Sequence, residues 1–201
     1  MRFVNVVALT TMLLVTAARG TVVIPPTLDL LTAKADCVVH GTVSAVRSEW
    51  RGEGDTRRIV TVVTFAVADV IAGSAGPELQ LEFLGGEIDG ERLAVDGQPR
   101  FTPGDEEVLF VADIGHTICP VVAMSYGRYL VIRDPDGQPV VARDSGVPLT
   151  SLAEIAQPLA AGSPAETLRL LQEGRTVSLS AFEAAVRESA QRQGQRSLTE
   201  R

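Results

Sequence analysis

The chain has 201 residues, 45% hydrophobic, 21% charged and only 4% aromatic. That composition supplies one packed domain with at most an appendage and excludes global disorder. The formal net charge of −7 argues against nucleic acid and anionic lipid as partners.

Residues 1–20 read as a secretory signal peptide. Arg2 gives the positive start, FVNVVALTTMLLVTAA the apolar stretch, and Ala18 and Gly20 the small residues before a cut after Gly20. About 16 apolar-biased residues is short for a bilayer span. No later segment is longer, so no membrane span is expected after cleavage, and the expected location is secreted or periplasmic. Cleavage removes Arg2 and Arg19 and no acid, leaving 16 basic against 25 acidic residues, a net charge of about −9. All basic residues but Lys34 are arginine, a bias typical of GC-rich coding and so of a bacterial exported protein.

After Pro25-Pro26, residues 27–35 predict a short helix with Thr27 as N-cap and Asp29 near its positive end. Residues 36–47 predict a strand. Cys37, Val39, Gly41, Val43 and Ala45 share its inner face, while Val38, His40, Thr42, Ser44 and Val46 face the other way. Gly41 marks a sharp bend. Residues 48–57 are a polar loop with the only tryptophan. Strands follow at 58–73, 78–86 and 106–114, with a glycine-punctuated excursion at 87–106 around a weak strand at 91–95. Residues 119–144 predict a strand, a bend at Gly127 and a hairpin turning at 134–137.

Beyond Asp144 the character changes. A Pro/Gly-punctuated linker leads to a helix at about 164–173 and a second one opened by a capping box, Ser180 with Glu183. Phe182, Ala185, Val186 and Ser189 follow at helical spacing, and 194–201 is a polar tail. The expected organisation is a signal peptide at 1–20, a β-barrel domain at 21–144, and a C-terminal linker with helices at 145–201. The strand pattern suits a small closed barrel or a sandwich, and Gly41 and Gly127 favour the barrel. The expected fold class is therefore mainly β: a small antiparallel OB-like closed barrel with a short N-terminal helix and a C-terminal helical appendage.

Two cysteines, Cys37 and Cys119, in an oxidising compartment predict one disulfide between them. His40 and His116 read as ordinary surface or loop residues, since a zinc site needs three or four convergent ligands. GGEIDGE (85–91) and RDPDG (133–137) gather acids among glycines, but neither has the later bidentate glutamate of a calcium loop. Turn chemistry accounts for both. No GxSxG, HExxH or phosphate-cradling loop occurs. The reading therefore assigns no catalytic residue, no metal and no cofactor. Trp50 and Arg51 form the expected binding pair: they lie in the loop joining the first two strands, where OB-type barrels bind ligands, and tryptophan beside arginine is an anchor-like combination.

Ala35-Asp36 opening the first strand, Val67 to Gly73 closing the second, and Phe101 to Gly104 before a later strand follow an order of phrases. Over about residues 27–142 the chain resembles the tissue inhibitors of metalloproteinases and netrin-like domains, with Ala72 where lysine is usual. It also resembles a group of bacterial exported proteins with the phrases GGEIDG and GQPRFTPGDEEVLF. The resemblance implies an OB-like fold and a non-catalytic module that binds or inhibits another exported protein, a metalloprotease of the matrixin kind. The inhibitors start with a cysteine whose amine and carbonyl chelate the protease zinc. Here Thr21 takes that place, making Thr21 a further contact residue with no disulfide to hold it. The alternatives are a metal-dependent hydrolase using His40, His116 and the acidic loop, and a structural envelope protein.

Overall fold

The computed structural model describes residues 24–199, and side chains as far as Gln195. The expected signal peptide and Thr21 lie outside the described residues.

The first helix, α1 (Leu28–Lys34), starts as the sequence predicts: the Thr27 side chain accepts the Leu30 N–H at 3.2 Å. Six strands form one antiparallel sheet: β1 (Cys37–Arg51), β2 (Arg58–Gly73), β3 (Glu78–Leu84), β6 (Glu106–Val111), β7 (Arg128–Arg133) and β8 (Pro139–Arg143). Their order is β3-β2-β1-β6-β7-β8, and β4 (Gly86–Ile88) with β5 (Glu91–Leu93) makes a separate two-stranded hairpin. Two further helices follow, α2 (Pro164–Glu173) and α3 (Leu179–Thr199).

The mainly β architecture with helices at both ends matches expectation, but the barrel does not close. The sheet is open, with β3 and β8 as its edges. The outer edge of β8 is occupied instead: Val141 donates to Val177 O and accepts from the Leu149 N–H, both at 2.9 Å, and Arg143 donates to Val147 O. A chain that spends this edge on its own C-terminal segment has none left for β3. On β3, Leu84 donates to Ile118 O at 2.9 Å.

The sheet buries both faces, which corrects the one-faced reading of β1. On one face α1 and α3 cover Val38, Val108, Phe110 and Tyr129, with Phe182 and Val186 of α3 wholly buried against them. The Tyr129 and Phe182 rings lie 4.7 Å apart, centre to centre. The other face encloses a second core around Val39, Val43, Phe65, Leu81 and Leu109. Strand alternation sends Val38 and Val39 to different cores.

The bend at Gly41 is real. Pairing with β2 shifts register between His40 and Gly41, and a Cβ there would sit 2.1 Å from the Ala66 carbonyl oxygen. Cys37 and Cys119 are free thiols; the expected disulfide is absent. Both pack with the second core, and the Cys119 thiol donates to Val121 O at 3.7 Å.

At α3 the expected capping box gives way to a cap two residues earlier. Ser178 Oγ accepts the Ala181 N–H at 3.2 Å, leaving Glu183 for another role. The helix also runs to Thr199, through most of the expected tail.

Candidate functional site

β1 and β2 stay paired well past the expected strand end, through Trp50↔Ile59 to Arg51↔Arg58. The loop expected at 48–57 therefore shrinks to residues 52–57, and Trp50 and Arg51 belong to the far end of a long two-stranded ribbon. Neighbours on a strand point to opposite faces, so the two residues do not form one anchor. Arg51 joins a network on the ribbon's outer face. It reaches Glu82 at 3.0 Å and also bonds Glu49, which takes Arg47 at 2.5 Å. Arg47 first, then Arg51, holds the Glu49 carboxyl below its ordinary value.

Trp50 faces the other way and is half-buried. Its indole N–H donates to Asp89 Oδ2 at 3.4 Å, and the Arg57 guanidinium lies 3.8 Å from the ring centroid. Asp89 sits in the two-residue turn between β4 and β5, so the short hairpin lies along the ribbon. The Glu87 N–H donating to Ser48 Oγ at 3.2 Å makes the same connection one step back. Gly86 allows this crossing: its φ is 143°, and a Cβ would meet Ser48 Oγ at 2.6 Å and Thr61 Oγ1 at 2.7 Å.

Beside this hairpin runs a groove of about 390 Å³. Val46 and Phe83 lie at its apolar side, Leu93 and Val95 along its wall, and Arg92 and Arg100 border it. Leu93 is 37% exposed, and both arginines are exposed. Trp50 and Arg57 do not line this groove, and the β4–β5 hairpin joins it to them: its turn holds Trp50 through Asp89, and its Glu87, Arg92 and Leu93 line the groove.

The remaining titratable groups form two clusters elsewhere. His40 is not an ordinary surface residue. Its Nε2 is 2.9 Å from Glu106 on β6, and its Nδ1 is 3.3 Å from Glu183 on α3. Glu106 also takes Arg133, and Arg187 bridges Glu183 to Asp69. His116 is exposed in the turn after β6, with its backbone N–H on Asp113 O at 3.0 Å. Among the described residues, no three His, Cys, Asp or Glu side chains gather as a set able to hold a metal ion.

The second cluster is interior. Arg128 bonds Glu107 at 2.5 Å and Asp144 at 2.7 Å, and its guanidinium lies 5.0 Å from the Phe101 centroid. Burial pushes the Glu107 carboxyl above its ordinary value, against the opposing pull of Arg128. Both groups are buried from solvent.

Of the residues singled out from sequence, Trp50 is at the site, Arg51 is turned away from it, and Thr21 lies outside the described residues. Arg57, Asp89, Arg92 and Arg100 are the members that sequence reasoning missed. The GGEIDG phrase, read as a turn, is one; what it did not reveal is that the turn folds back onto the tryptophan. In comparisons with known proteins, no family model, no curated protein and no solved structure matches the chain.

Proposed function

We propose that this chain is a secreted, non-catalytic binding module whose contact surface is the end of the β1–β2 ribbon and the hairpin beside it. The observation that carries the reading is the arrangement around Trp50. The chain's only tryptophan is partly exposed, fixed on one side by Asp89 and on the other by Arg57. An aromatic side chain immobilised before binding loses little entropy when a partner covers it, which is what an interface anchor requires. The expected signal peptide supports export, and the expected partner is another exported protein. The sequence resemblance to metalloproteinase inhibitors makes a matrixin-type metalloprotease the first one to try.

The test is a titration of the purified mature chain against a matrixin-type catalytic domain and against exported proteins encoded beside its gene. Wild-type chain binds one of them, and Trp50→Ala weakens that complex about tenfold or more. An affinity unchanged by Trp50→Ala removes the ribbon end from the interface. Failure to bind any of them defeats the choice of partner.

A further inference from the structure

We propose that the groove beside the β4–β5 hairpin accepts an extended acidic segment of the partner, laid along β5. The proposal rests on the reading of the ribbon end as a binding surface and names what that surface recognises.

The backbone carries the first part of the argument. Asp89 and Gly90 form the turn with φ of 54° and 79°, both positive, as in a two-residue hairpin turn of type I′. In such a hairpin Ile88 and Glu91, which flank the turn, exchange the ladder bonds, and the next pair, Glu87 and Arg92, points its backbone groups outward. Glu87 spends its N–H on Ser48 Oγ at 3.2 Å. Among the described residues, the outward N–H and C=O of Arg92 meet no partner. They lie on the free side of β5, and Arg92 lines the groove. A short strand with an open edge beside a groove receives an extended chain by strand addition.

The charges carry the second part. Across the described residues most arginines are committed. Arg47, Arg51, Arg128, Arg133, Arg187 and Arg192 have carboxylate partners, Arg143 bonds the Gln157 and Pro158 carbonyls, and Arg57 covers the indole. Arg92 and Arg100 have no such partner, although the chain holds 25 acidic residues, and the two border one groove. Glu87, opposite Arg92 in the hairpin, lines the same groove, but among the described residues it makes no ion pair with either arginine. Two guanidinium groups against one carboxylate leave a net positive locus on an acidic protein. Guanidinium groups pair with carboxylates through paired N–H donors. In an extended segment alternate side chains face opposite ways. One set then rests on the Val46 side of the groove, above the buried Phe83, and the other brings carboxylates to Arg92 and Arg100.

The probe is the peptide Gly-Val-Glu-Val-Glu-Val, dansylated at its N-terminus and amidated at its C-terminus so that only side-chain carboxylates are offered. Trp50, hydrogen-bonded to the same hairpin, is the fluorescence donor. The acidic peptide quenches Trp50 emission saturably, and its Lys-for-Glu version binds about tenfold or more weakly. The double variant R92E/R100E loses the acidic peptide to a similar degree. Arg100→Gln, at an exposed residue with no partner, loses it in part and keeps the wild-type melting temperature, which covers the case in which the double variant does not fold. Equal binding of the acidic and basic peptides, binding untouched by these substitutions, or no binding at all overturns the proposal. A chain that ignores the peptide but still holds a partner in a Trp50-dependent way loses the groove and keeps the ribbon end. A chain that takes the peptide but no exported partner shows the reverse.

Discussion

Glu107 and Arg128 form a buried ion pair. Both are taken out of water, and Glu107 Oε2 and Arg128 Nε have no hydrogen-bond partner. A buried pair of this kind adds little over apolar packing, yet removing one member strands the other. Arg128→Ala, which leaves the Glu107 carboxyl buried without its cation, is therefore expected to cost about 3–5 kcal/mol in urea unfolding. The double replacement Glu107→Leu with Arg128→Met should lie much nearer wild type; equal losses in both variants would contradict this. Gly41→Ala is expected to cost about 1–3 kcal/mol, because its Cβ meets the Ala66 backbone rather than a movable side chain. Gly41 was readable from sequence, since a glycine amid valines forfeits side-chain packing that only a bend or a close backbone approach requires. Arg57 was not: which arginine reaches the indole is decided by how the 52–57 turn closes, and composition carries no trace of it.

α3 shows how an element is held and why part of its role is illegible. Phe182 is fully buried between Phe110 and Tyr129, so Phe182→Ala should cost about 3–5 kcal/mol and loosen the helix from the sheet, measured by amide exchange in residues 179–195. The His40 ring, between Glu106 and Glu183, ties β6 to α3. His40→Ala should raise exchange near Glu183 while leaving β3 untouched. The helix itself was legible from the spacing of Phe182, Ala185, Val186 and Ser189. Its cap was misplaced because Ser178 and Ser180 are equally good candidates locally, and only docking decides between them. The strands were legible as alternating valines, but closure of the sheet was not. Closure would need β3 to meet β8, and the segment that takes the β8 edge lies in a stretch that reads as linker. The ribbon end at Trp50 read as a loop because polar side chains cover both its faces.

For the molecule as a whole, burial shapes the response to alkali. Cys37 is pushed above its ordinary value by burial and then by the Asp36 carboxylate; burial does the same to Cys119 and Tyr129. All three hold their protons more tightly folded than unfolded. Their contribution is complete below the ordinary thiol value of 9.0 and is lost as pH rises towards the higher folded values. Urea midpoints should fall above about pH 9, and Cys37→Ala with Cys119→Ala should flatten that fall. Under denaturing, non-reducing conditions two thiols per chain should react with maleimide; none would mean a bridge. The central claim is that a partner covers the ribbon end, and the single tryptophan allows a direct test. Fluorine NMR of the chain carrying fluorotryptophan at Trp50 should give one resonance that shifts or broadens when an unlabelled partner is added. A complex that sediments as one species while that resonance stays unmoved would contradict the account.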